Sequence, residues 1–202
     1  MKQLLLFILI SLSVNAFTQK KYSTYTNSFT TEQYSISVSA KDTNDYSLYI
    51  DCYSIDKVVD KGGILLNKKQ VETFQTALTG AKAKFEEWVK TAKENNVEAL
   101  SKPMTFNSKG DGYFMYGNDW NFQFGVNLTF GFKVVKVGET VSHLMIVKTG
   151  ELQSSSNQFI KADGFYIIFS STEEIDYFIS QISEVKVKEF IKKPKAEDLF
   201  KD

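Results

Sequence analysis

Asp51 is the carboxylate whose neighbours most suggest chemistry, because it stands between Tyr49 and Tyr53 on an alternating segment. A glycosidase needs two carboxyl groups about 5–10 Å apart, one of them in an apolar pocket that raises its pKa. Asp111 and Asp119 are further candidates, but both fall in predicted turns, where aspartate serves local hydrogen bonds. Because of these carboxylates, a hydrolase is retained as one alternative function.

His143 is the single histidine, and it lies in phase with Val141, Met145 and Val147. This spacing predicts a strand histidine held by packing. The sequence has no HExxH motif, no Cys/His cluster and no G-x-S-x-G elbow. It therefore predicts no catalytic residue, no metal ligand and no cofactor.

An uncharged polar face is the clearest candidate for ligand binding. Over residues 120–134 every even position is apolar, while the odd positions carry amides, a threonine, glycines and, at the end, one lysine. Amide and tyrosine side chains on a concave sheet are typical of sugar or peptide recognition. The alternative is that a helix or loop covers this face, or that it is simply solvated. The candidate ligand-binding residues are Asn121, Gln123, Asn127, Tyr113 and Tyr116.

The N-terminus has the pattern of a secretory signal peptide over residues 1–16. Lys2 is followed by an apolar run of eleven residues, Leu4–Val14, and Val14 and Ala16 place a branched and a small residue at the −3 and −1 positions of the cleavage site. A membrane-spanning helix needs roughly 20 apolar residues, so this run predicts cleavage after Ala16 without a transmembrane anchor. The alternative is a buried N-terminal helix or strand.

Composition narrows the classes of partner. The 24 basic residues balance 24 acidic ones, and all of the basic residues are lysine. The chain has no net positive charge to attract phosphates and no arginine to bind them in a bidentate manner. The sequence therefore does not predict nucleic-acid binding. Cys52 is the only cysteine, which excludes an intrachain disulfide, and its phase with Leu48 and Ile50 predicts burial.

The first half of the chain predicts a lead-in, a hairpin and a long helix. Residues 17–33 are rich in serine and threonine and predict a flexible polar lead-in. Alternation over residues 34–40 and 47–55 predicts two paired strands. Asn67 and Gln70 have capping-box spacing at the start of an amphipathic helix, whose apolar stripe we expect to pack on the sheet rather than on a coiled-coil partner.

The second half predicts a meander of strands. Residues 113–116 and the strand from Trp120 form a hairpin, and the long strand is expected to bend at Gly125 and Gly131. Further strands are predicted at 141–148 and, after a hairpin signal at residues 163–164, at 165–169. A short helix follows Ser171, an edge strand is expected over 185–188, and residues 194–202 form a charged tail.

These elements predict one α+β domain over residues 34–193. Its sheet is mainly antiparallel and curved, with about seven strands in the order ββαβββββα, one long amphipathic helix and one short C-terminal helix. The function predicted by elimination is an exported, soluble, non-enzymatic binding or interaction module for a glycan, a peptide or a protein partner. The alternatives are the hydrolase, acting on an envelope or extracellular polymer, and a structural envelope component that pairs through a sheet edge or the helix stripe.

Overall fold

The computed structural model describes residues 19–193, so the predicted signal peptide and the predicted charged tail lie outside the described residues. The strands before the long helix are β1 Lys20–Thr26, β2 Gln33–Ala40, β3 Tyr46–Asp51, β4 Tyr53–Ser54 and β5 Gly62–Asn67. The helix α1 Lys68–Glu94 precedes β6 Leu100–Tyr116, β7 Asp119–Val137 and β8 Thr140–Lys148. The last elements are β9 Leu152–Gln153, β10 Lys161–Ala162, β11 Phe165–Phe169, α2 Thr172–Gln181 and α3 Glu184–Lys192.

Nine of these strands form one antiparallel sheet in the order β1-β2-β3-β5-β6-β7-β8-β11-β4, and β9 pairs with β10 separately. The chain leaves β3 at Cys52 and continues directly as β4, which pairs with β11 at the far end of the sheet. Because β4 follows β3 directly in the chain, this step brings the β4–β11 end of the sheet close to β5, so the sheet curves back toward itself. The α+β class with a large antiparallel sheet, predicted from the sequence, is confirmed.

Helix α1 covers the inner face of the sheet. Asn67 and Gln70 form the predicted capping box, each side chain accepting from the backbone N–H of the other. Phe74 and Phe85 pack on Phe130 and Phe132 of β7, with ring centroids 6.1 and 5.9 Å apart. The apolar stripe is therefore buried against the chain's own sheet, as expected.

Strand β7 is 19 residues long and contains a bulge at Gly125, which has φ +69°. Opposite the bulge the register moves from Gly112–Gln123 to Gly110–Val126, so two residues of β7 face one of β6. A bulge of this kind reverses which side chains point to which face. The predicted bend at Gly125 is confirmed. Beside Gly131 the pairing with β6 is also irregular, between the Pro103–Gly131 and Asn107–Thr129 pairs, while the pairing of Gly131 with Ile146 of β8 is regular.

Two segments differ from the sequence-based expectation. Residues 20–26, expected in the flexible lead-in, form the strand β1 beside β2, because Tyr25 is buried against Phe178. Residues 185–188, expected as an edge strand, belong to the helix α3. Its Val187 is buried and Phe190 packs on Tyr22, a three-residue spacing that suits a helix.

The strand count and one hairpin also differ. The described chain has eleven strands rather than about seven, and two short C-terminal helices rather than one. Residues 163–164 connect β10 to β11, but these strands pair with β9 and β8 respectively and not with each other. Among residues 19–193, no helix has the length and apolar character needed to cross a membrane.

Candidate functional site

A cleft of about 690 Å³ opens on the sheet face opposite the main core. Its centre is a row of paired residues that crosses four strands, in which Asp51 pairs with Gly63, Gly63 with Tyr113, and Tyr113 with Phe122. The volume falls within the range of about 300–1,000 Å³ that is typical of small-molecule sites. The lining residues are Gln19, Tyr34, Ser37, Tyr49, Asp51, Cys52, Asp60, Lys61, Gly62, Tyr113, Trp120 and Phe122.

Asp51 and Tyr113 meet at the centre of the cleft. The Tyr113 hydroxyl donates a 2.6 Å hydrogen bond to Asp51 Oδ1 across the position of Gly63. A Cβ atom at Gly63 would lie 2.0 Å from the carbonyl oxygen of Ile50, so glycine is required between the two strands. Asp51 Oδ2 accepts no hydrogen bond from the described residues, and because it is not fully buried a ligand can reach it.

The environment of Asp51 disfavours its charge. Burial raises the pKa of Asp51, while the hydrogen bond from Tyr113 and the charge of Lys21 partly offset this effect. Burial, followed by the negative charge of Asp51, raises the pKa of Tyr113 well above its ordinary value. Tyr113 is therefore a neutral donor at physiological pH, and the ionised form of Asp51 is less favourable here than in water.

Aromatic rings form the walls of the cleft. The ring of Tyr113 packs edge-on against Tyr49, with 5.4 Å between centroids, and lies tilted against Trp120, with 5.8 Å between centroids. Tyr113 is 3% exposed and Trp120 is 50% exposed, so the wall runs from a buried floor to an open rim. The arrangement offers the partly exposed rings of Tyr49 and Trp120 and one carboxylate oxygen to an incoming group.

Cys52 lies beside this site without taking part in reactive chemistry. It is buried as predicted, its Sγ donates to the Ile50 carbonyl at 3.1 Å, and burial raises its pKa. A buried thiol of this kind stays protonated and unreactive.

The five predicted ligand-binding residues do not form one surface, because the bulge at Gly125 divides them. Tyr113 lines the cleft, and Asn127 shares its face of the sheet but lies further along β7, exposed and outside the cleft lining. Asn121 and Gln123 fall on the opposite face. Tyr116 lies exposed at the end of the β6–β7 hairpin.

The loop that carries β9 lies beside Asn121 and Gln123. Asn121 is only 5% exposed, and its Nδ2 donates to the backbone oxygen of Asp119 at 3.1 Å. The backbone N–H of Gln153 donates to Gln123 Oε1 at 2.5 Å. These two amides therefore serve internal hydrogen bonds in the described chain.

Sequence reasoning assigned Trp120 and Phe122 to the apolar side of a continuous strand and so missed their place in the cleft. The signal that could have located them is Gly125, since a bulge there shifts the alternation on its N-terminal side by one residue. The alternating sequence around Asp51 places Tyr49 on the same face of its strand. It contains no signal that brings Tyr113, 62 residues away, next to them. Tyr53 belongs to β4 and packs near Phe29 and Tyr166, away from the cleft lining.

The remaining candidates, Asp111, Asp119 and His143, lie outside the cleft lining. Asp111 lies in β6, where its Oδ1 accepts from the N–H of Gly125 at 2.8 Å and so supports the bulge. His143 lies in β8 beside Phe132, and burial lowers its pKa. Among residues 19–193, no three His, Cys, Asp or Glu side chains are grouped so that they could hold a metal ion.

No protein-family model, no curated protein and no solved structure was found to match this chain.

Proposed function

We propose that this protein is an exported, non-enzymatic binding module and that the cleft around Asp51 is its ligand site. The observation that carries the proposal is a partly buried carboxylate with one free oxygen at the floor of an aromatic cleft. Burying a charge without a full set of partners costs folding free energy. A carboxyl group whose pKa is shifted by burial and which lines a cleft is therefore a candidate for ligand binding.

The export part of the proposal rests on the sequence of residues 1–16. Lys2, the apolar run up to Val14 and the small-residue site at Ala16 have the order that signal peptidase recognises. N-terminal sequencing of the protein recovered from the extracytoplasmic fraction tests this part. We expect a chain that begins at Phe17, and an uncleaved chain in the cytoplasm would contradict it.

The binding part is tested with the purified wild-type protein and variants of the cleft. A glycan array and a pull-down from the envelope of the producing cells present both classes of partner. We expect Asp51→Asn and Trp120→Ala to lose the wild-type ligand, and Phe124→Ala to keep it. Phe124 is a suitable control because it is an exposed aromatic residue of the same strand outside the cleft lining. Equal binding by all four proteins would reject the cleft as the site.

A hydrolase is the second candidate, because Asp60 is a second carboxylate in the lining of the same cleft. With its raised pKa, Asp51 would be the general acid and Asp60 the base or nucleophile. Release of reducing ends from cell-envelope polysaccharide tests this candidate. Activity that is lost in both Asp51→Asn and Asp60→Asn would favour the hydrolase over the binding module.

A further inference from the structure

We infer that the cleft accepts an organic cation, namely an ammonium or guanidinium group that sits between the aromatic walls and Asp51. This inference rests on the proposed function and names the chemical class of its ligand. Aromatic rings attract cations through the negative charge on their faces, most strongly for tryptophan and tyrosine. A carboxylate at the same place adds direct charge pairing.

The cleft supplies both elements together. Trp120, Tyr113 and Tyr49 form a continuous wall of rings whose neighbours lie 5.4–5.8 Å apart. Asp51 stands beside this wall, and none of the ion pairs among the described residues includes it. A bound cation would therefore give Asp51 the charge partner that the described chain does not.

The other charged groups near Asp51 do not fill this role. Lys21 on β1 favours the ionised form of Asp51, but its side chain is exposed and makes no ion pair with the carboxylate. Asp60 and Lys61 are exposed at the rim and carry opposite charges. The tyrosines and the thiol around the floor have pKa values raised by burial and stay neutral; they are Tyr25, Tyr34, Tyr49, Tyr113 and Cys52.

A neutral sugar fits this cleft less well. Sugar hydroxyls need several donors and acceptors around each ring. Here the hydroxyl of Tyr113 is already used by Asp51, and the other side-chain donors of the lining include Gln19, Ser37, Tyr49, Lys61 and the Trp120 indole. A neutral sugar would contact these donors and the rings but would leave Asp51 without a charge partner.

The test compares choline with 3,3-dimethyl-1-butanol, which has the same shape without the charge. Binding to the purified protein is followed by calorimetry and by the NMR signal of the Trp120 indole. We expect choline to bind at least tenfold more tightly than the neutral analogue. Nα-acetyl-lysine amide and Nα-acetyl-arginine amide, which keep their side-chain charges, show whether ammonium or guanidinium is preferred. Asp51→Asn and Trp120→Ala should each weaken choline binding at least tenfold, whereas Phe124→Ala should leave it unchanged.

A pH series adds a readout that apolar binding would not produce. Choline keeps its charge at every pH, so its affinity should rise as Asp51 ionises and should become independent of pH in Asp51→Asn. Glu139→Gln, which removes an exposed carboxylate outside the cleft lining, should retain the dependence.

Two outcomes would overturn the inference. Equal binding of choline and its neutral analogue would show that only apolar contact matters. Failure of all the cations at millimolar concentration would reject the cation site, even if a glycan or peptide still bound in a manner that depends on Trp120. In that last case the cleft remains the binding site and only the class of ligand is wrong.

Discussion

The Tyr113 hydroxyl and the Asp51 carboxylate are joined by a 2.6 Å hydrogen bond although they lie two strands apart. Gly63 stands between them in the sheet, and a Cβ atom there would lie 2.0 Å from the Ile50 carbonyl oxygen, so the close approach of β3 and β5 beside the site requires glycine. The bond orients the carboxylate and uses Oδ1, which leaves Oδ2 for a ligand. The candidate site therefore depends on one glycine and on the register of three strands.

Tyr113→Phe should raise the pKa of Asp51 further, because the mutation removes the hydrogen bond that opposes the effect of burial. It should also lower the free energy of unfolding by about 1 kcal/mol, the usual net value of one hydrogen bond. The pKa is measured from the Asp51 carboxyl carbon by NMR titration, and the stability from urea unfolding. Tyr116→Phe, at the exposed end of the hairpin, is the control and should change neither quantity. An unchanged Asp51 pKa in Tyr113→Phe would mean that the bond is not formed in solution.

Asp51→Asn should leave the protein at least as stable as wild type at neutral pH. The native pKa of Asp51 is raised above its unfolded value, so the native state binds more protons in the interval between the two pKa values. Stability from this group therefore falls as the pH rises through that interval. The asparagine keeps an acceptor for Tyr113 but carries no charge, so the variant should lack this part of the pH dependence.

Urea unfolding between acid and neutral pH measures the Asp51 effect. Asp60→Asn is the matched control, because its carboxylate is exposed, and it should change the free energy of unfolding by less than about 0.5 kcal/mol. A large loss of stability in Asp51→Asn at neutral pH would show that the carboxylate supports the fold, which would weaken its assignment to a ligand.

Gly125→Ala should destabilise the protein by about 1–2 kcal/mol. Gly125 has φ +69°, and the left-handed backbone conformation is less favourable for alanine than for glycine. No atom lies within 4 Å of a Cβ at this position, so the effect isolates backbone strain. Gly131→Ala is the matched control on the same strand, with ordinary φ and a nearest contact of 3.7 Å. It should be neutral or slightly stabilising. Equal effects of the two changes in thermal unfolding would contradict the bulge.

Val187→Ala should cost about 2 kcal/mol, because the residue is fully buried and two methyl groups leave the core. Val185→Ala should change the free energy of unfolding by less than about 0.5 kcal/mol, since Val185 is 68% exposed. In a strand the two valines would lie on the same face, so the two alanine substitutions would lower the free energy of unfolding by similar amounts. Urea unfolding of the two variants therefore separates the helix α3 from the edge strand that the alternating sequence predicts.

Local patterns identified those elements whose signals lie within a few residues of each other. The capping box at Asn67, the burial of Cys52 and the length of β7 follow from spacing alone, because each depends on contacts or periodicity along one segment. The edge strand predicted over residues 185–188 is wrong because that prediction also used only the local pattern. Its alternation suits a strand locally, whereas the packing of Phe190 on Tyr22 depends on residues far away in the sequence.

The sequence by itself determined an α+β chain with strong alternation, one amphipathic helix and a glycine where the longest strand bends. Only the tertiary structure decided that Asp51, Tyr113 and Trp120 share a cleft and that Asn121 and Gln123 do not join them. The physical reason is that strand register is set by long-range pairing, and one extra residue at Gly125 moves every neighbour to the other face. Alternation shows that a strand has two faces, but only the assembled sheet decides which of them surrounds a site.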